Sequence, residues 1–186
     1  MNGPVVVKLG GATFAETSGL LTELAAASRQ RPLVIVHGGG RRVTEWLARL
    51  GLPSRFADGL RVTDEAAIEV AAAVLRGAVN LELVAALRRL GIDAVGLSGV
   101  DGGLVVGRRV PGLGFVAAIA EVRRGLLDAL FAEGRVPVVS PLALDETGGA
   151  REAVIADGGA AGALERAFSG ADFGTRIASP AAAGVS

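Results

Sequence analysis

Residues 5–11, Val-Val-Val-Lys-Leu-Gly-Gly, form the stretch that decides the fold. Three β-branched residues predict a strand buried on both faces, and the two glycines allow the backbone to turn sharply. Helical sequence follows, so the unit would present backbone N–H groups and a helix N-terminus to an anion. Lys8 would add a positive charge at the strand end. An ordinary βα unit whose lysine reaches solvent explains this motif equally well when it is considered alone.

A second copy of the pattern favours the binding interpretation. Residues 34–37, Val-Ile-Val-His, run into Gly38, Gly39 and Gly40, and two arginines begin the next helix. Two such strands side by side in a parallel sheet would place both glycine turns at one carboxyl edge. That edge is where open α/β sheets bind their ligands.

Composition excludes several classes of site. The 186 residues suit one domain, or a domain with a small appendage. The absence of cysteine excludes disulfides, thiolate metal sites and cysteine nucleophiles, and the single histidine excludes a multi-histidine metal cluster. We therefore predict no metal-ligating residues. Lys+Arg and Asp+Glu are 19 each, so no basic excess indicates nucleic acid or an anionic membrane as a partner. We expect no apolar run long enough to span a bilayer and no signal peptide before residue 5. The expected location is therefore the cytoplasm.

Strand and helix patterns alternate along the chain. This alternation predicts an α/β fold, a three-layer αβα sandwich with a mostly parallel sheet. Within residues 54–63, Asp-Gly between two short β-like pieces predicts a hairpin. A long apolar helix is expected over residues 64–90, with a weak point at Gly77. The remaining expectations are strands at 94–97, 136–140, 153–156 and 174–178, helices at 122–133 and 160–168, and a loop at 141–151.

Six motifs together resemble the amino-acid kinase family, and within it the branch that phosphorylates acetylglutamate. Their order and spacing follow the family from residue 4 to about residue 149, whereas no G-x-G-x-x-G follows the first strand as a Rossmann fold requires. The motifs are Val-Val-Val-Lys-Leu-Gly-Gly (5–11), Val-His-Gly-Gly-Gly (36–40), Gly-Leu-Arg-Val-Thr-Asp (59–64), Gly-Ala-Val-Asn (77–80), Ala-Val-Gly-Leu-Ser-Gly (94–99) and Val-Pro-Val-Val-Ser-Pro (136–141).

The resemblance implies phosphoryl transfer from ATP, with Mg²⁺, to the γ-carboxylate of N-acetyl-L-glutamate, a step of arginine biosynthesis. Lys8 would contact the phosphoryl group in flight, and Gly10 and Gly11 would offer N–H groups to it. These residue types suit the reaction, because transfer between two anions depends on positioning and charge neutralisation.

The resemblance also implies a substrate side. Gly39 and Gly40 would hold the γ-carboxylate end, and Arg61 would bind the α-carboxylate. A planar guanidinium matches a carboxylate through two parallel hydrogen bonds, as lysine cannot. The alternative for Arg61 is a surface ion pair.

The end of the chain departs from the family pattern. Residues 153–178 resemble the family's closing strand–helix–strand, but only residues 142–152 stand where the family has a nucleotide-binding lobe. We therefore expect one domain over residues 1–178, made of a substrate lobe (4–149) joined to the closing piece, and a flexible tail over 179–186. Leu81 and Val100 stand where the family often has lysine.

Three functions remain open on this basis. The first is a full kinase that uses ATP and Mg²⁺. The second is a shortened, impaired homologue that binds an acidic acyl-amino acid or a partner without phosphoryl transfer. The third, a kinase for an amino-adipate carried on a protein, fits residues 59–64 less well. The resemblance and the apolar helix at 64–90 both favour a homodimer through that helix.

Overall fold

The computed structural model describes residues 4–10, 18–57, 59–145 and 150–153 of the chain. In these residues it contains ten strands, five α-helices, one π-helical segment and one short 3₁₀ turn. The strands are β1 (Val5–Leu9), β2 (Leu33–His37), β3 (Arg55–Ala57), β4 (Leu60–Val62), β5 (Ala94–Ser98), β6 (Val105–Arg109), β7 (Val116–Val122), β8 (Val136–Ser140), β9 (Leu142–Asp145) and β10 (Ala150–Ala153). The helices are α1 (Ser18–Ser28), α2 (Gly40–Arg49), α3 (Glu65–Ala72), the π-helical segment (Ala73–Val79), α4 (Asn80–Arg89), the 3₁₀ turn (Asp101–Gly103) and α5 (Gly125–Ala132).

A four-stranded sheet with the order β1-β2-β8-β5 forms the centre of the fold. All three of its strand pairs are parallel, which confirms the predicted α/β fold with a mostly parallel sheet. In the register of these pairs, Lys8 lies beside Val36 and Val36 beside Val139. The carboxyl ends of the four strands therefore meet at one edge.

Helices cover both faces of this sheet, as the layered prediction requires. Helices α1 and α4 pack on one face, and α5 packs on the other. The first face contains, among others, Val5, Val7, Leu9, Leu24, Leu83, Leu87 and Val138. The second contains Val34, Val36, Leu97, Leu104, Leu130 and Val139.

The predicted long helix is present as α3, the π-helical segment and α4 in succession. Asp64 begins it, since its carboxylate accepts a hydrogen bond from the N–H of Ala67 at 2.9 Å. Gly77 falls inside the π-helical segment, where one wide turn changes the direction of the side chains that follow. Of the described residues, 65–89 form one helix that is long and apolar enough to cross a membrane by length and composition. The expectation that no apolar run reaches this length is therefore wrong. Its buried side chains pack in two apolar clusters of the fold.

Four further strands form a small closed barrel in the order β10-β7-β6-β9. This corrects two sequence expectations. The stretch 141–151 was expected to be a loop, but it contains β9 and the start of β10, which pair antiparallel. The stretch 122–133 was expected to be a helix throughout, but Val122 ends β7 and α5 begins at Gly125.

The predicted closing piece, residues 153–178, lies outside the described residues except for Ala153. Ala153 pairs with Ala117 of β7, so it belongs to the barrel rather than to the central sheet beside β8. The predicted tail, 179–186, also lies outside the described residues.

Candidate functional site

Gly10 and Gly38 follow the neighbouring strands β1 and β2 at the carboxyl edge of the sheet. Leu9 and His37 are neighbours in the β1–β2 register, and the N–H of Gly38 donates to the carbonyl of Leu9 at 2.9 Å. The prediction that the two strands lie side by side and end at one edge is confirmed. Gly10 follows β1 directly, whereas Gly11 lies outside the described residues.

The second turn leads into the N-terminus of α2, with Gly39 as the residue that precedes the helix. Gly39 has φ of 157°, and a Cβ there would lie 2.7 Å from Cδ2 of Leu75 and 3.3 Å from Cγ2 of Val79. Only glycine therefore lets the turn pack directly on the π-helical segment. The first turn of α2 has no acidic residue, so its backbone N–H groups keep a positive potential that favours an anion.

Arg61 is buried and holds the β3–β4 hairpin against this helix end. Its Nη2 donates to the carbonyl of Gly40 at 3.0 Å and to Oγ1 of Thr44 at 2.8 Å. Its Nη1 donates to the hydroxyl of Ser54, and its guanidinium lies over the ring of Phe56 with 4.8 Å to the centroid. The structure thus brings Gly39, Gly40 and Arg61 together.

The hairpin itself is fixed from its far end. The N–H of Thr63 donates to the carbonyl of Leu113 at 3.1 Å, and the N–H of Phe115 donates back to the carbonyl of Thr63 at 2.7 Å. A Cβ on Gly114 would lie 2.1 Å from the Thr63 carbonyl oxygen. The connection between β6 and β7 therefore anchors the strand that carries Arg61.

Lys8 lies one residue before the end of β1 and is half-buried. Because side chains alternate along a strand, Lys8 projects from the face opposite to Val7 and Leu9, which pack against α1 and α4. It is thus on the α5 face of the sheet, beside Val36. Lys8 and Arg61 share the carboxyl edge but belong to different elements of it.

Sequence analysis did not identify a buried polar pair behind the second turn. His37 and Asn80 are both buried, and Nδ2 of Asn80 lies 2.9 Å from Nε2 of His37. The other ring nitrogen of His37, Nδ1, lies 2.8 Å from the carbonyl oxygen of Gly38. Burial lowers the pKa of His37, which favours the neutral ring. The motif Gly-Ala-Val-Asn at 77–80 was the only sequence signal that included Asn80.

The described residues fit a phosphate better than a magnesium ion. The described part of the chain contains no group of three or more His, Cys, Asp or Glu that could hold a metal. Asp101, which follows β5 at this edge, accepts hydrogen bonds from the N–H and hydroxyl of Ser98 at 2.6 and 2.8 Å. It also pairs with Arg76 at 3.5 Å. These residues therefore form no dedicated magnesium cage; in kinase sites Mg²⁺ is held by substrate phosphates, water and one or two carboxylates.

The family model described as "Amino acid kinase family" matches residues 3–163 of this chain. Curated relatives named acetylglutamate kinase match most of it as well. The protein from Rubrobacter xylanophilus is 46% identical over 145 residues, which are 77% of this chain and 56% of the relative. The protein from Geobacillus kaustophilus is 42% identical over 152 residues, which are 80% of this chain and 59% of the relative. The chain thus spans little more than half the length of these relatives.

Two solved structures share the fold. The protein smu.665 from Streptococcus mutans UA159 has a TM-score of 0.71 at 21% identity, covering 81% of this chain and 63% of that one. The N-acetylglutamate synthase from Neisseria gonorrhoeae, complexed with coenzyme A and N-acetyl-glutamate, has a TM-score of 0.62 at 23% identity. It is covered over 36% of its length, against 81% of this chain. By the family match over residues 3–163, this chain belongs to the amino acid kinase family.

Proposed function

We propose that this chain is an acetylglutamate kinase-like protein that binds N-acetyl-L-glutamate at the carboxyl edge of β1 and β2. The reaction proposed with it is phosphoryl transfer from ATP to the γ-carboxylate of that substrate. Relatives at 41–46% identity that are named acetylglutamate kinase support this choice of substrate. They support it for the part of their length that this chain spans.

One observation carries the proposal: the Arg61 guanidinium is fixed to the carbonyl of Gly40 in the first turn of α2. A guanidinium can form two parallel hydrogen bonds with a carboxylate, and this one is held next to a helix N-terminus that also favours anions. An acidic substrate with two carboxylates suits this arrangement. Arg61 would bind the α-carboxylate, while Gly39 and Gly40 would hold the γ-carboxylate.

The phosphoryl side of the site would be formed by β1. Lys8 would neutralise charge on the group in transfer, and Gly10 and Gly11 would donate backbone N–H bonds to it. Such positioning and charge neutralisation are what phosphoryl transfer requires of a protein. ATP would supply the phosphoryl group.

A second candidate is a shortened homologue that binds the acyl-amino acid or a partner without transferring a phosphoryl group. The observation that favours it is the short connection between β8, which ends at Ser140, and β10, which begins at Ala150; among its described residues is β9, Leu142–Asp145. The family's nucleotide-binding lobe would have to be inserted there. In this form the chain would keep the substrate side and lose the ATP side.

We also propose a cytoplasmic homodimer through residues 64–90, with no nucleic acid or membrane partner. Leu81 in this helix is 62% exposed and Leu90 is 38% exposed, and a second copy would cover them. Light scattering at micromolar concentration tests the dimer, and a Leu81→Lys variant should shift the mass towards the monomer. A wild-type monomer would contradict it.

The two functional candidates are separated by one enzymatic assay. With N-acetyl-L-glutamate, ATP and Mg²⁺ supplied, the first candidate forms an acylphosphate that hydroxylamine traps as a hydroxamate. The second binds N-acetyl-L-glutamate in calorimetry but yields no hydroxamate. Absence of both binding and product would contradict the proposed function.

A further inference from the structure

The side chain of His37 connects the second glycine turn to the helix behind it. One nitrogen, Nδ1, lies 2.8 Å from the carbonyl oxygen of Gly38, and the other, Nε2, lies 2.9 Å from Nδ2 of Asn80. Both side chains are buried. A neutral imidazole has one donor and one acceptor, so one of these two nitrogens must donate a hydrogen bond and the other must accept one.

The surroundings of Asn80 decide which nitrogen carries the proton. Its Nδ2 also lies 2.9 Å from the carbonyl oxygen of Val138, while its Oδ1 accepts from Nη1 of Arg76 at 3.2 Å. The Asn80 amide therefore donates towards His37, and Nε2 of His37 must accept. Nδ1 then carries the proton and donates to the carbonyl of Gly38.

This bond determines the direction of the neighbouring N–H group. The carbonyl of Gly38 and the N–H of Gly39 belong to one planar, trans peptide, so they point in opposite directions. Fixing the Gly38 oxygen against His37 therefore aims the Gly39 N–H away from the ring. Gly39 itself would otherwise be free to rotate, since glycine has few steric limits on its backbone.

Neighbouring residues fix the position of the Asn80 side chain. It sits where α4 follows the π-helical segment, and Arg76 in that segment also donates to the carbonyl of Gly96 at 3.1 Å. A Cβ on Gly96 would lie 2.2 Å from Oδ1 of Asn80. The amide is thus enclosed by the middle residues of β5 and β8.

We propose that Asn80 and His37 are positioning residues that hold the Gly38–Gly39 peptide with the Gly39 N–H turned towards the ligand. The inference rests on the proposed function, in which Gly39 holds the γ-carboxylate end of the substrate. Neither side chain needs to touch the substrate: Asn80 sets the ring of His37, and His37 sets the peptide.

Two variants of His37 each remove one of its two hydrogen bonds, to Asn80 or to the Gly38 carbonyl. His37→Gln keeps an acceptor for Asn80 but removes the donor next to Gly38. His37→Asn keeps a donor near Gly38 but does not reach Asn80. Ser140→Ala is the control, because Ser140 is buried in the adjacent strand and its hydroxyl donates to the carbonyl of Leu97 at 3.3 Å. Nδ2 of Asn80 also approaches that oxygen, at 3.4 Å, so this variant changes a neighbouring hydrogen bond while both contacts of His37 stay in place.

The first readout needs no ligand. Residual dipolar couplings measure the orientation of the Gly39 N–H in the whole chain, and couplings elsewhere in the sheet report that the fold is kept. We expect the Gly39 coupling to change in both His37 variants and to stay unchanged in Ser140→Ala. An unchanged coupling in either His37 variant would overturn the proposal.

The second readout is the dissociation constant for N-acetyl-L-glutamate from calorimetry. Loss of one neutral hydrogen bond should weaken binding about threefold to tenfold in both His37 variants, with Ser140→Ala near wild type. Binding as tight as wild type in a His37 variant would overturn the positioning role. If the wild type does not bind this ligand, the proposed function fails, while the dipolar couplings still decide the positioning of the peptide.

Discussion

Oγ1 of Thr44 lies 2.8 Å from Nη2 of Arg61 and also donates to the carbonyl of Gly40 at 3.0 Å. The same Arg61 nitrogen reaches that carbonyl directly, at 3.0 Å. The hydroxyl, the carbonyl and the guanidinium therefore form one closed set of hydrogen bonds. These hydrogen bonds join the β3–β4 hairpin to the first turn of α2.

The first consequence concerns Arg61 itself. Arg61→Ala should weaken binding of N-acetyl-L-glutamate by about 2–5 kcal/mol, the usual cost of truncating one member of a buried, hydrogen-bonded charge pair. Arg108→Ala is the control, because Arg108 is exposed on β6, and it should bind as the wild type does. The dissociation constants come from calorimetry on folded protein. Equal losses in the two variants would mean that the carboxylate site lies elsewhere.

Thr44 should affect affinity by positioning Arg61 and the Gly40 carbonyl. Thr44→Val keeps the shape of the side chain but removes its hydroxyl. We therefore expect N-acetyl-L-glutamate to bind several-fold more weakly, in line with about 1 kcal/mol for a neutral hydrogen bond. Thr44→Ser keeps the hydroxyl and should restore most of the affinity. If Val and Ser at this position behave alike, the hydroxyl does not position Arg61.

Gly96 should tolerate no side chain. Its Cβ would lie 2.2 Å from Oδ1 of Asn80 and 3.2 Å from Cγ2 of Val84, so Gly96→Ala should lower the free energy of unfolding by about 1–3 kcal/mol. Gly77→Ala is the control, since nothing lies within 4 Å of a Cβ there. That variant should be neutral or gain up to about 1 kcal/mol. Denaturant unfolding measures both, and a harmless Gly96→Ala would contradict the packing around Asn80.

The buried histidine predicts how stability depends on pH. Burial lowers the pKa of His37 from 6.5 in the folded chain, so the unfolded chain binds more protons just below that pH. The free energy of unfolding should therefore be fully retained above about pH 6.5 and should fall as the pH drops towards the folded-state pKa. His37→Gln removes this titration, so its profile should be flatter over the same window in denaturant unfolding. A wild-type profile parallel to that of the variant would be inconsistent with a neutral, buried His37.

The parts of the fold that sequence predicted are those with a strong local signal. β1 and β2 are short apolar runs, the first interrupted by Lys8, and glycine follows each of them. The Asp-Gly turn marks the β3–β4 hairpin. The barrel was missed because its closure depends on strands distant in sequence: Leu144 of β9 lies beside Val106 of β6, and Ala153 of β10 lies beside Ala117 of β7. Short strands of this kind have little periodicity from which to predict them.

The site shows the same difference between features with a local sequence signal and features formed by residues distant in sequence. The glycine turns could be predicted because glycines directly follow apolar strands, whereas Arg61 was expected only from the resemblance of residues 59–64 to the family. The His37–Asn80 pair could not, since its members are 43 residues apart in sequence and meet only when α4 packs on the sheet. The wide turn of the π-helical segment precedes Asn80, and the sequence marked that place only as a weak point at Gly77.

The most direct test of the central claim is the change in melting temperature with ligand. A ligand that binds only the folded chain stabilises it by about 2.7 kcal/mol at 100 times its dissociation constant. N-acetyl-L-glutamate should therefore raise the melting temperature in a saturable way in the wild type, and much less in Arg61→Ala. If the substrate side of the site is present as described, this shift appears whether or not Mg-ATP also binds. No saturable shift with N-acetyl-L-glutamate, or an equal shift in Arg61→Ala, would contradict the account.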